Sequence, residues 1–192
     1  VLVKIGLDIM GGDFAPQATL QGAIEAKKVL TSDIDIVLIG DESLARDWLV
    51  NNDVDPTIFS FLNASQVIEM SEHATRALKK KPDNSISIGF KALKLGEIDV
   101  LASAGNSGAM LVGSMFSIGP VPGVIRPCIT SVLPKENGGV GVILDVGVNA
   151  DCKPDVLYQF GILGSLFAEH VCGVSDPRVG LLNIGEEETK GN

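Results

Sequence analysis

Two short stretches carry the residue types that chemistry on an anion would need. Gly11-Gly12-Asp13 and Gly105-Asn106-Ser107-Gly108 each join a β-rich run to a helical pattern. Glycine lets a backbone approach a ligand closely, and the unpaired amides that open a helix favour negative charge. Asn106 and Ser107 add donors without a charge of their own, so a phosphate group is a natural occupant. The same residues suit a plainer reading, since Asn and Ser are favoured helix caps and a Gly-Gly turn serves chain reversal alone. Asp8, Asp13 and Asp145 stand at the ends of β-rich runs. A carboxylate there either moves a proton, orients a ligand or accepts from loop amides. Lys190, beside Gly191, reads by position alone as a solvated lysine, and Arg126 either binds an anion or, as the favoured reading, pairs with one of the many acids.

Several chemistries are missing their signatures. There is no G-x-x-x-x-G-K-[ST] for a nucleotide phosphate, no G-x-G-x-x-G for a dinucleotide and no H-E-x-x-H for zinc. Ser107 lacks the G-x-S-x-G frame, and only His73 and His170 could serve a serine as base. Cys128, Cys152 and Cys172 have no C-x-x-C spacing, and His170 and Cys172, two apart, do not face one way on a helix. Reduced thiols in a cytoplasmic protein, with no metal and no cofactor, are the expectation.

The elements that must position the two turns follow a repeated grammar. Strands are expected over Leu2 to Leu7, Asp35 to Ile39, Ile98 to Ala102, Val140 to Leu144 and Arg178 to Ile184, each ending in a polar loop. A helix over Pro16 to Leu30 has the inward stripe Leu20, Ala23, Ile24 and Leu30. Another, over Lys153 to Val171, repeats Val156, Phe160, Leu163, Phe167 and Val171 between Pro154 and Gly173. Shorter helices fall at Ala74 to Lys81 and Ser87 to Leu95, broken at Pro82. Pro120 to Gly139 interrupts the rhythm and suits an extra strand, Cys128 to Leu133, in a hairpin. Alternating strands and helices imply a three-layer α/β/α fold with a mostly parallel sheet, read here as one continuous unit over 1–192. In such sheets ligands bind beyond the carboxyl ends of the strands, where the glycine turns fall.

Composition narrows the partners. With 192 residues, 45% apolar and 20% charged, the chain has material for a core and is not disordered. Its net charge of −9 argues against nucleic acid as a partner. The basic clusters Lys27-Lys28 and Lys79-Lys80-Lys81 suit solvated helix faces and leave an acidic protein partner open. The uncharged stretch Val100 to Ile125 is interrupted by glycine and proline, which fits a buried helix over Ala109 to Ile118 better than a bilayer span. The opening residues carry no signal-peptide pattern.

Four blocks, in order, carry a family resemblance: Asp8 to Pro16, Ser103 to Ala109, Leu144 to Pro154 and Ser175 to Asn192. Together they resemble bacterial phosphate acyltransferase, the acyl-[acyl carrier protein]:phosphate acyltransferase of phospholipid synthesis. The resemblance implies that inorganic phosphate attacks the thioester of a long-chain acyl carrier protein and gives an acyl phosphate. It also implies a fold similar to isocitrate dehydrogenase and phosphotransacetylase, a homodimer and a loose peripheral contact with the inner membrane face. Phosphate is already a nucleophile, so donors that position it and stabilise an oxyanion are sufficient. By the same resemblance Lys190 is the catalytic candidate, and Gly105, Asn106, Ser107 and Gly108 are donors to phosphate or the thioester carbonyl. Asp8, Gly11, Gly12, Asp13, Asn149 and Lys153 are further substrate-binding candidates. Family members continue beyond Lys190-Gly191-Asn192, so the sequence is expected to be the N-terminal portion of a longer chain. Such a fragment alone would have little or no activity. Two other readings stay open, a phosphotransacetylase-like enzyme on acetyl-coenzyme A and a non-catalytic scaffold that binds carrier protein.

Overall fold

The computed structural model describes residues 2–149 and 151–183, which fall into two compact units, one up to Pro120 and one from Val121 on. In the first unit the chain runs β1 (Val3–Asp8), α1 (Gln17–Val29), β2 (Ile34–Gly40), α2 (Glu42–Asn51), a 3-10 turn (Pro56–Ile58) and β3 (Ser60–Asn63). It continues through α3 (Ala74–Lys80), α4 (Ser85–Leu95), β4 (Val100–Ala102) and α5 (Ser107–Ser117). The four strands form a parallel sheet in the order β3-β2-β1-β4, with Ile5 opposite Ile36 on one side and Val100 on the other.

The apolar run in β2 explains why this sheet lies between helices. Successive side chains of a strand point to opposite faces. Ile36 and Leu38 join Leu20 and Ala23 of α1 and Ala45 and Leu49 of α2 in one core. Val37 and Ile39 join Ala92 of α4 and Ile98 in another. A strand buried on both faces has no place for polar alternation, which is why Ile36 to Ile39 read as unbroken hydrophobes. A third core gathers Ile68, Ala77, Ile86, Phe90 and Ala109 from α3, α4, α5 and the segment before them.

Capping sets the helix boundaries. The Asp41 carboxylate accepts from the Leu44 amide at 3.0 Å, and the Asn84 carbonyl oxygen from the Ser87 amide at 2.8 Å. Gly96 ends α4 with φ +71°, a left-handed turn that favours glycine.

In the second unit β5 (Thr130–Pro134) and β6 (Val140–Leu144) form an antiparallel hairpin, and α6 (Pro154–His170) follows. Pro154 occupies the first turn of α6, and Gly164 leaves room for Leu144 of β6, whose Cδ1 would lie 2.7 Å from an added Cβ.

The strands expected near Leu2, Asp35, Ile98 and Val140, the hairpin and the five predicted helices are all present within a few residues of their expected bounds. Four features differ. Arg178 to Ile184 forms no strand over its described residues, 178–183. A strand needs a ladder partner, and Val179 instead lies along Gly161 of α6, 3.3 Å from the position of an added Cβ. Neither helix α2 nor the short β3 is among the elements expected from the sequence. The helix expected to be buried, α5, hides only one face: Ala109 and Gly113 are buried while Phe116 is 81% exposed. No described helix is long and apolar enough to cross a membrane.

Two substitutions test this packing. Leu20→Ala, at a fully buried site, should lower stability by about 2–5 kcal/mol in a denaturant titration. Gly113→Leu, whose Cβ would stand 2.8 Å from the Phe90 ring, should cost about 1–3 kcal/mol by overpacking. Wild-type stability in both variants would show that these cores do not hold the unit together.

Candidate active site at the sheet edge

Strand order decides where the first unit has a crevice. After β1 the chain moves to β2 and β3 on one side, while β4 lies on the other, so the loops beyond β1 and β4 diverge across a topological switch point. Asp8 closes β1 there and is 1% exposed. Its Oδ2 accepts from the Ser103 hydroxyl at 2.7 Å and its Oδ1 from the Met10 amide at 3.0 Å. The Ser103 oxygen in turn accepts from the Gly105 amide at 3.0 Å. One carboxylate therefore laces the β1–α1 loop to the β4–α5 loop. Its partners are internal, and this gives Asp8 a positioning role.

Glycine makes that lacing possible. A Cβ on Gly11 would lie 2.6 Å from both the Gly105 nitrogen and Asp8 Oδ2, and 2.8 Å from Gly105 Cα. A Cβ on Gly105 would lie 3.1 Å from the Ser103 oxygen and 3.3 Å from Gly11 Cα. The two loops thus meet backbone to backbone. Gly12 adopts φ +108° against Ala104, and Asp13 is exposed in the same loop. The two glycine turns singled out in the sequence share one rim.

At the start of α5 the Asn106 side chain is fully occupied. Its Oδ1 accepts from the Ala109 amide at 2.9 Å. Its Nδ2 donates to the main-chain oxygens of Glu69, Met70 and Glu72 at 3.1, 3.2 and 3.0 Å. Asn106 therefore caps the helix and clamps the segment before α3, so its amide has no donor to spare for a ligand. The exposed Ser107 and the half-buried Gly108 lead the helix, and their amides sit at its positive end. Gly108 has close company, since an added Cβ would be 3.3 Å from Ala74 Cβ. The clamped segment is braced from behind. Lys81 Nζ donates to Glu72 at 2.6 Å and to the Val67 carbonyl at 2.6 Å. The Lys81 bond, with the Glu69 amide, holds the Glu72 carboxyl below its ordinary range.

Asn149 and Lys153 belong to the second unit, around a different carboxylate. Asp145 Oδ2 accepts from the amides of Asn149 at 2.7 Å, Val148 at 2.9 Å and Gly147 at 3.4 Å, and Oδ1 from Ile129 at 2.7 Å. Partial burial pushes its carboxyl upward, but these four donors outweigh it and hold the group below the usual carboxylate range. Asn149 Nδ2 donates to the Pro127 carbonyl at 3.0 Å, and Lys153 is exposed at the cap of α6. Arg126 Nη1 donates to the Asp151 main-chain oxygen at 3.1 Å. Burial first, then the Asp145 charge, raises the Cys128 thiol, which keeps it a poor nucleophile. Lys190 lies outside the described residues.

Sequence reasoning missed Ser103 and the Glu69–Glu72 clamp. Ser103 had one available signal, its place immediately after a strand beside Ala104-Gly105, but the clamp joins residues more than thirty apart and leaves no local mark.

The chain's sequence from residue 3 to residue 192 matches the family model described as fatty acid synthesis protein. The chain belongs to this family. Relatives in the family include the phosphate acyltransferase of Desulfitobacterium hafniense (strain Y51), 41% identical over 191 residues, which covers 100% of this chain and 56% of the relative. That of Magnetococcus marinus is 44% identical over 190 residues, 99% of this chain and 54% of the relative. The chain spans about half the length of the curated relatives it matches. Among solved structures, a phosphotransacetylase from Streptococcus pyogenes aligns with TM-score 0.65 at 14% identity, over 90% of this chain and 55% of that one. The EutD phosphotransacetylase from Staphylococcus aureus aligns with TM-score 0.60 at 17% identity, over 87% and 53%. The family member described here thus has the fold of those enzymes, a mixed α/β architecture with a mostly parallel sheet.

Two measurements probe the carboxylates and the glycine contact. Gly11→Ala should separate the two loops and cost about 1–3 kcal/mol in a denaturant titration. For Asp145 the folded acid is stronger than the unfolded one, so its contribution is present above about pH 4 and fades as pH falls through the folded value. Asp145→Asn should therefore cost about 1–3 kcal/mol at pH 7 and much less at pH 3 in urea titrations. A difference independent of pH would show that the charge of Asp145 is not what the amides hold.

Proposed function

We propose that the protein catalyses transfer of a fatty acyl group from acyl carrier protein to inorganic phosphate, yielding an acyl phosphate for phospholipid synthesis. The observation that carries this reading is family membership together with relatives, 41–44% identical across nearly the whole chain, whose name is phosphate acyltransferase. The anion-friendly rim at the β1–β4 switch point supports it. A phosphate oxygen attacks the thioester carbonyl carbon, the tetrahedral oxyanion collapses, the carbon–sulfur bond breaks, and the carrier leaves as a thiolate that takes up a proton.

In this reading the Ser107 and Gly108 amides at the start of α5, with the Gly11-Gly12 backbone, hold the phosphate, and the Ser107 hydroxyl is a further donor. Asp8 and Asn106 keep those donors in place. Asp13 borders the rim. Preorganised amides stabilise a developing oxyanion without reorganising at the moment of reaction. Lys190 is the catalytic residue, and Asn149 and Lys153 bind substrate; their support is the resemblance of their sequence blocks. The working protein is a homodimer in the cytoplasm, in peripheral contact with the inner membrane face, and uses no cofactor.

The test is phosphate-dependent thiol release by a chain of the relatives' full length, given a long-chain acyl carrier thioester and, separately, acetyl-coenzyme A. The carrier thioester should turn over faster, and Lys190→Ala should lower kcat by about 100-fold or more. Faster turnover of acetyl-coenzyme A would make the protein a phosphotransacetylase. Carrier binding without phosphate-dependent release would make it a scaffold.

A further inference from the structure

We propose that the outer face of α3 is a landing surface for an acidic protein, placed beside the switch-point rim. Under the function proposed above, on which this rests, that protein is the carrier presenting the thioester.

Arg76, Lys79 and Lys80 recur at the i, i+3, i+4 spacing that puts side chains on one helix face. All three are exposed, whereas Ala77 is buried and Ala74 and Leu78 pack into the core with Ile86, Phe90 and Ala109. Three like charges on a helix of seven residues repel one another. Among the described residues none of the three enters an ion pair. The fourth cation of the run, Lys81, is used internally by Glu72 and the Val67 carbonyl. Lys80 adds only a distant pull on that same Glu72 carboxylate. In a chain of net charge −9 this is an isolated positive face with no structural task.

Its location gives it one. Asn106 ties the segment leading into α3 to the start of α5, and Ala74 lies against Gly108. The basic face is carried on the same frame as the amides at the rim, within about 9 Å of helix axis. A complementary charged face steers a partner and fixes its register next to the reacting groups. An anionic membrane is the weaker candidate, because the apolar side of α3 is committed to the core and has nothing to insert into lipid.

The experiment uses a chain of the relatives' full length carrying R76E/K79E/K80E, the milder R76Q/K79Q/K80Q, or, as a control for charge alone, K91E/K94E on the exposed side of α4. Binding of an acidic acyl carrier protein is measured by fluorescence anisotropy at low and high salt. The reversal should raise Kd by about 10-fold or more and flatten its salt dependence, the neutral variant should fall between, and the control should change Kd by less than about twofold. In thiol release the reversal should raise KM for the carrier thioester and leave kcat, and turnover of a coenzyme A thioester, unchanged. An unaltered Kd overturns the proposal, as does an equal loss in the control. So does weakened binding to phosphatidylglycerol vesicles with carrier binding intact. If the reversal weakens carrier binding while wild type releases no thiol from any thioester, the surface stands and the proposed function falls.

Discussion

The rim depends on one buried carboxylate reaching across a strand gap. Asp8 holds Ser103, and Ser103 holds the Gly105 amide, so a single acidic side chain fixes where two loops end and how their backbones face. A carboxyl group at 1% exposure is expensive to bury unless its polar atoms find partners. Here the Ser103 hydroxyl and the Met10 amide meet them, and the price is recovered as order in the loops. Without that link, Gly11 and Gly105 would have no reason to approach closely enough to exclude a Cβ.

The brace on the other side of α5 is of a different kind. Asn106 uses its whole amide on the protein, accepting at the helix start and donating to three carbonyls in one turn of chain. Such a residue looks like a ligand donor in a one-dimensional reading because its type and position are those of an anion site. In three dimensions it is the scaffold on which the neighbouring amides are displayed. Asp145 in the second unit follows the same pattern, a side chain at a strand end turned inward to organise its own loop.

Much of the fold was legible because local and global preferences agree. The β2 run is unbroken and apolar since both of its faces are covered, and Pro16, Pro154 and Gly96 punctuate helices where their backbone preferences allow. The Arg178 run has equal local β character but no ladder, and ladders are not written in local sequence. β3 is short, flanked by a 3-10 turn and half-buried, so its alternation spans too few residues to stand out. At the site, the glycine turns could be read because only glycine permits such contact. The Ser103 link crosses from β1 to the loop after β4, and the clamp ties the turn at residues 69–72 to the start of α5, pairings that spacing along the chain does not reveal.

The backbone contact between Gly11 and Gly105 also limits how this chain can vary in length. Neighbouring strands stand about 4.8 Å apart, and the two loops inherit that separation from β1 and β4. Inserting a single residue into either loop would slide a glycine out of opposition and bring Met10 or Ala104, with its side chain, into the gap. The turn at Asn52 and Asp53 has no such counterpart, being exposed at the end of α2. Drift by insertion and deletion should therefore be tolerated at that outer turn and excluded from the pair of loops at the switch point, where the register of two strands has become the register of the rim.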